Sequence, residues 1–295
     1  MSKSTLSVMA SVLMTVVIAV GSVDYSRSAR AAAQDKSLSE GDIKTKLAEF
    51  KKLIGDAKGA KDVAAIAILD ELLKVYPKMK PADQNRFIKG VNACLAQRKI
   101  KRESGKGKAE LFRRAVRALG SVGPKASKAL RTAYEGKTNR KFKSREWDSL
   151  KAEMLEQLGV SKDPRNVDLL LDVARRADSD LLRRKAGGSL RHYDKAKLKQ
   201  RKEICKQLIR EWINIDSNAR GTTDPNFAQQ RARSEQRLAS VSGPWNVTLK
   251  RLTGQKFKTP QEWQNFYNGS MWKKNWDKAA VSSMGKKNSR GKKRR

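Results

Sequence analysis

An all-α fold is what the sequence predicts, built from helix pairs laid one after another. Three observations predict it. Apolar residues recur at three- and four-residue spacing through most of the chain, the period of a helix with one buried face. Strand-like alternation of Val, Ile and Thr is almost absent. Ala, Leu, Lys, Arg and Glu dominate, and proline occurs only 7 times in 295 residues, as expected of helical proteins. The hydrophobic share of 38% points to a thin core with wide charged faces.

The N-terminus reads as an export signal. Lys3 precedes an apolar stretch, Val8 to Val20, too short to span a bilayer comfortably. Ala31-Ala32-Ala33 offers a cleavage site before Gln34, with Ala19-Val20-Gly21 as the competing site and an uncleaved membrane anchor as the third reading. Residues 1–33 are therefore expected to leave the mature chain. They carry Lys3, Arg27 and Arg30 against Asp24, a net of +2 out of the whole chain's +36.

Residues 34–215 are expected to form the helical domain. Ile43, Leu47, Phe50 and Ile54 mark its first helix. Val63, Ile66, Leu69, Leu73 and Tyr76 mark the second, which Pro77 ends. Pro81 reopens a helix carrying Phe87, Val91, Cys94 and Leu95, and the basic stretch Gln97 to Lys108 reads as a loop. Leu111, Ala115, Val116 and Leu119 then line one helix; Gly123-Pro124 opens the next, faced by Ala126, Leu130 and Ala133. Asp163 is a natural N-cap with Pro164 behind it. Val167, Leu170, Leu171 and Ala174 follow, then a short break at Ala177-Asp178, then Leu181, Leu182, Ala186, Ser189 and Leu190. Cys205, Leu208, Ile209 and Trp212 continue the array. Both cysteines, Cys94 and Cys205, sit on apolar stripes, so two core thiols are favoured over a bridge.

Asp178, Leu182-Arg183, Ala186 and Leu190, with Val116-Arg117-Ala118-Leu119-Gly120 as a partial echo, resemble HEAT repeats. The resemblance spans about Leu111 to Trp212. It implies an irregular HEAT/armadillo-like α-solenoid, with helices stacked closely through small residues. Gly187-Gly188 and the irregular period depart from the pattern, each glycine weakening a helix by about 1 kcal/mol relative to alanine.

Residues 216–243 are polar and read as a linker or an exposed helix. Residues 244–280 read as an aromatic C-terminal cap, and 281–295 as a disordered basic tail. The cap contains Phe257, Trp263, Phe266, Tyr267, Trp272 and Trp276. Its stretch GQKFKTPQEWQNF repeats the grammar of NRKFKSREWDSL, Asn139 to Leu150: Lys-Phe-Lys, a capping Ser or Thr, then Glu-Trp. Thr259 and Glu262 have the spacing of a capping box. That grammar favours packing over a ligand platform, which would need bare rings beside phosphate-contacting cations. The stretch is also similar to the closing element after HEAT-like arrays in bacterial exported proteins.

Catalytic signatures are absent: a single histidine, His192, no C-x-x-C, and no G-x-S-x-G, Walker A or G-x-G-x-x-G string. Acidic pairs such as Asp70-Glu71 are expected on solvated faces. The reading is non-enzymatic, with no cofactor, no metal and no small-molecule substrate. A net charge of +36 instead implies an acidic protein or a polyanionic polymer at the cell envelope as partner. Candidate anion-binding residues are Arg183, Arg184 and Lys185 on a helix, and Lys286, Lys287, Arg290, Lys292, Lys293, Arg294 and Arg295 in the tail. The rival reading is a nucleic-acid-binding protein that uses the tail.

Overall fold

The computed structural model describes residues 39–56, 58–97, 109–221, 225–274 and 276. The export segment with its cleavage sites, most of the basic loop after Gln97 and the basic tail lie outside them. All regular structure among the described residues is helical. The helices are α1 (Glu40–Ile54), α2 (Asp62–Val75), α3 (Pro81–Leu95), α4 (Ala109–Ser121), α5 (Pro124–Tyr134), α6 (Asp148–Val160), α7 (Val167–Arg176) and α8 (Asp180–Ser189). They continue with α9 (Leu198–Arg220), α10 (Ala228–Thr253), α11 (Pro260–Asn268) and α12 (Ser270–Lys273).

Local chemistry sets the helix ends. Ser39 and Asp42 close a capping box on α1, and Thr259 and Glu262 close one on α11. Prolines occupy the first turns of α3, α5 and α11, where a missing N–H costs nothing. Asp163 accepts a hydrogen bond from the Arg165 N–H and starts the short 3₁₀ turn that leads into α7. Gly123, at φ +80°, turns the chain between α4 and α5 in a conformation that side chains resist.

The helices pack in two files. Even-numbered helices meet in succession: α2 with α4, α4 with α6, α6 with α8 and α8 with α10. Odd-numbered helices form the second file, α1 on α3 and α3 on α5, then α7 on α9 and α9 on α11. Between the files a helix packs on its neighbour in sequence, as α1 on α2 or α9 on α10. One continuous core runs along the interior, from Ile43 in α1 to Trp276 after α12. Cys94 and Cys205 are both buried within it as free thiols, and burial raises the Cys205 thiol well above its usual range.

Several expectations need correction. In α2 the buried stripe is Ala65, Ile68, Leu69, Leu72 and Tyr76, while Val63 is 81% exposed. The expected and observed stripes share Leu69 and Tyr76, and the buried face is turned towards Ala65. Asp70 and Glu71 are not simply solvated: Asp70 takes both arms of Arg114 from α4, at 2.6 and 2.7 Å, and Glu71 pairs with Lys46 of α1 at 2.5 Å. Of the two readings of residues 216–243, the exposed helix holds from Ala228, and α10 runs unbroken across the expected boundary at 243/244 despite Pro244. The expected boundary at residue 215 likewise falls inside α9.

Gly187-Gly188 is explained by contact rather than flexibility. A Cβ on Gly187 would lie 2.6 Å from Cδ1 of the fully buried Trp245 of α10. The Thr248 hydroxyl donates towards the Gly187 and Gly188 carbonyls at 2.9 and 3.2 Å, fixing the same crossing. Gly159 of α6 likewise faces the Ser189 carbonyl of α8, 2.5 Å from where its Cβ would stand. Gly120 of α4 meets Gln157 of α6.

These contacts reverse the usual sign of a helical Gly→Ala change. Gly187→Ala should destabilise by about 1–3 kcal/mol through overpacking, although alanine is the better helix former by about 1 kcal/mol. Gly90→Ala should stabilise by up to about 1 kcal/mol, because its Cβ would stand at an ordinary 3.5 Å from Leu47. Urea unfolding of both variants reads the two signs directly.

Candidate anion-binding surface

The helical patch expected at Arg183, Arg184 and Lys185 divides. Arg183 is 7% exposed. Its Nε donates to the Ala177 carbonyl at 2.5 Å and its Nη1 to Glu211 of α9 at 3.0 Å. Burial, with Arg237 nearby, lowers its pKa from the ordinary value. This guanidinium ties the α7–α8 break to α9 and is not free to receive a ligand. Arg184 and Lys185 are half-buried on the same helix. The tail cations, Lys286 to Arg295, lie outside the described residues.

The aromatic segment forms one connected cluster. Phe257 meets Trp263 edge-on at 5.1 Å, and Phe266 contacts Trp263, Trp272 and Trp276. Tyr267 packs on Trp272 at 4.8 Å. Trp263, Phe266 and Trp276 are buried, whereas Phe257, Tyr267 and Trp272 are half-buried. The Trp263 indole N–H donates to Asn246 of α10 at 3.0 Å, satisfying the polar edge of a fully buried ring. The earlier copy of the motif has the same pair: Phe142 meets Trp147 edge-on at 5.3 Å, both buried. One sequence grammar thus yields one packing device twice, with Pro260 as an insertion in the second.

Cations from α9 cover the cluster. Lys202 Nζ stands 5.5 Å over the Trp276 ring and Arg210 stands 5.9 Å over Tyr267. Lys199, Lys202 and Lys206, with Glu203, Leu198 and the half-buried Trp272, line an open concavity of about 420 Å³. Trp272 is the ring of the cluster that lines this concavity, beside three lysines.

A second cavity, about 480 Å³, was not foreseen. It lies where the end of α6 and the 3₁₀ turn around His192 meet the first turn of α9. Its walls are Pro164, His192, Tyr193 and Ala196, and Lys162, Lys195 and Lys197 stand at its exposed parts. Tyr193 is buried and donates its hydroxyl to the Asp163 carbonyl at 2.9 Å. His192 Nε2 lies 3.0 Å from Glu156, which Arg191 also engages. Lys162 follows α6 at φ +54°, and it alone among the described non-glycine residues has a positive φ.

The acidic groups near this cavity are already engaged. Asp194 pairs with Arg251 at 2.9 Å while also lying within electrostatic reach of Lys162. Asp163 is held by the Arg165 guanidinium, by the Ser127 hydroxyl and by the Arg165 N–H, which together lower it from 3.8 to about 2. Among the described residues no carboxylate forms an ion pair with Lys162, Lys195 or Lys197. No group of three or more His, Cys, Asp or Glu is placed there to hold a metal ion, and no described helix is long and apolar enough to cross a membrane.

No family model matches the chain, and no curated protein matches it. Its site must therefore be argued from its own geometry. What the sequence could have shown is modest: Asp194 to Lys199 reads D-K-A-K-L-K just before a helix, which places Lys195 and Lys197 beside the unfilled N–H groups of a first turn. That Lys162 joins them is a product of the fold.

Two outcomes follow. Trp263→Ala should lower stability by about 3–5 kcal/mol, because the ring is fully buried; an unchanged melting temperature would show that the aromatics carry no structural load. Asp163, depressed from 3.8 to about 2, contributes stability that is complete above its ordinary value and lost as pH falls towards 2. Asp163→Asn should accordingly flatten melting temperature against pH between about 4 and 2.

Proposed function

We propose that the protein is a non-enzymatic, exported scaffold of HEAT-like helix pairs that holds an acidic partner, a protein or a polyanionic polymer of the cell envelope, through its basic surfaces. One observation carries this reading. The chain has 66 Lys and Arg against 30 Asp and Glu, so even complete one-to-one pairing leaves a surplus of +36 that only another molecule or counterions can neutralise. The described ion pairs sharpen the point, since many carboxylates go to arginines that bridge helices. Lysines such as Lys162, Lys195, Lys197, Lys199 and Lys206 remain on the surface around two concavities. The alternating files of helices support the HEAT-like reading, because stacked pairs bury small-residue contacts between successive repeats.

The rival, a nucleic-acid-binding protein acting through its tail, rests on the seven cations of Lys286 to Arg295. Salt dependence separates the two. If the tail alone neutralised one phosphate per cation, log affinity against log salt would fall with a slope of roughly −6 on DNA. The scaffold reading expects retention on heparin to survive replacement of those seven cations by alanine, and heparin to compete as well as DNA. Complete loss of retention in that variant, together with intact Met1 in a cytosolic protein, would overturn it. Export expects the mature chain to begin at Gln34 or Ser22.

A further inference from the structure

Among the basic features of the surface, the cavity between α6 and α9 differs in being walled. Its volume of about 480 Å³ falls within the roughly 300–1,000 Å³ of clefts that take small molecules, and far exceeds what one inorganic phosphate needs. We propose that it binds a phosphoryl group carried on a sugar-sized body, either as a free sugar phosphate or as the phosphorylated end of a polymer. The inference deepens the acidic-partner reading and rests on it.

Charge sets the chemistry of the anion. Lys162, Lys195 and Lys197 surround the cavity without carboxylate ion pairs of their own among the described residues. Three ammonium groups match a dianion better than a single carboxylate, and lysine serves as a point charge for phosphate. The backbone adds to this. Ala196 and the N-cap Lys197 lead into α9 and Gln200 lies in its first turn; this 23-residue helix has no acidic residue in that turn and no side-chain cap, so the positive end of its dipole adds to the same field. The opposing carbonyl end of α6 is muted by side-chain donors: the Leu158 carbonyl accepts from the Ser161 hydroxyl at 2.7 Å and from Asn166 Nδ2 at 3.3 Å. Pro164, Ala196 and the Tyr193 ring supply apolar wall for the body that carries the phosphate.

Lys162 gives the strongest indication. It occupies the left-handed position just past α6, with its N–H on the Gly159 carbonyl at 2.9 Å. Glycine takes this place in most helices that end so. A lysine there carries backbone strain, and Lys162 is one of the residues that line the cavity. Strain of this kind clusters at ligand sites.

Calorimetric titration of the full chain with glucose 6-phosphate, glucuronate and glucose tests the proposal. The phosphate ester should bind at least tenfold more tightly than glucuronate, and glucose should not bind. Lys162→Gly should weaken glucose 6-phosphate at least tenfold while the melting temperature holds or rises, since glycine relieves the positive φ. The double change Lys195→Ala and Lys197→Ala should weaken it similarly. Alanine replacement of the tail cations should leave it unaltered, and phosphorylated polymer ends should compete with the ester if a polymer is the source. Equal affinity in Lys162→Gly, or loss of binding when only the tail is changed, overturns the site. If glucose 6-phosphate fails to bind while heparin retention persists, the cavity falls and the scaffold reading stands. If the ester binds but retention is absent, the reverse holds.

Discussion

The close approach of the even-numbered helices is the constraint on which the rest depends. α4 meets α6 at Gly120, α6 meets α8 at Gly159, and α8 meets α10 at Gly187, each glycine facing atoms that leave no room for a Cβ. Successive crossings can then be bridged by short polar links from the same helices. Arg114 reaches Asp70, Arg113 and Arg117 reach Glu153, Arg191 reaches Glu156, and Arg237 reaches Asp180. Each bridge is a side chain of one helix laid across its neighbour, and guanidinium suits it because a planar fork can hold a carboxylate with two parallel bonds. Widening any one crossing by a methyl group would strain both the glycine contact and the bridge beside it.

Close stacking also sorts the charge. The net value of +36 treats Arg and Lys alike, but the fold does not. Many arginines of the described chain are spent on carboxylates or carbonyls between helices; Arg183 on Glu211 and Arg201 on the Leu252 carbonyl are the most buried examples. Some lysines pair too, as Lys46 does with Glu71, but Lys162, Lys195, Lys197, Lys199 and Lys206 line the two concavities. A strongly basic chain thereby keeps ion pairs between its helices and a positive surface around the concavities. Screening by salt weakens the exterior contribution far more than the interior one.

Much of the fold was legible, because helix periodicity and capping are local. The Thr259–Glu262 box, the Asp163 cap and the free thiols came out where the residues put them. Failures arose wherever the deciding partner was distant in sequence. Val63 loses to Ala65 in α2, a choice between two faces that only the neighbouring helices make. Gly187-Gly188 looks like a weak helix until Trp245 arrives from α10. The polar stretch before Val241 reads equally as linker or exposed helix because few of its residues are buried, and the contacts that decide for helix, Arg237 on Asp180 and Leu238 on the core, come from distant segments. For the site the failure was sharper. Three adjoining basic residues make Arg183 look like a surface cation, whereas helical geometry turns it inward while its two neighbours stay half-buried. The cavity drew Lys162 from one helix end and Lys195 and Lys197 from another helix start, a meeting that no local pattern encodes.

The aromatic segment and the basic cavity are joined through α9, so the choice between packing element and binding platform is too narrow. The start of α9 walls the cavity, Lys199 in its first turn and Lys202 and Lys206 in the turns that follow stand beside Trp272, and the opposite face buries Ile204, Cys205, Leu208 and Trp212. Trp276 and Tyr267 sit beneath Lys202 and Arg210, and Arg201 fixes the same helix to the end of α10. A helix held along its length by rings on one side and core on the other presents its cations from a stiff base. Ordering them in advance lowers the entropy that a ligand would otherwise have to overcome. The tryptophans could therefore support the proposed binding without touching a ligand, by fixing the helix whose lysines line the cavities.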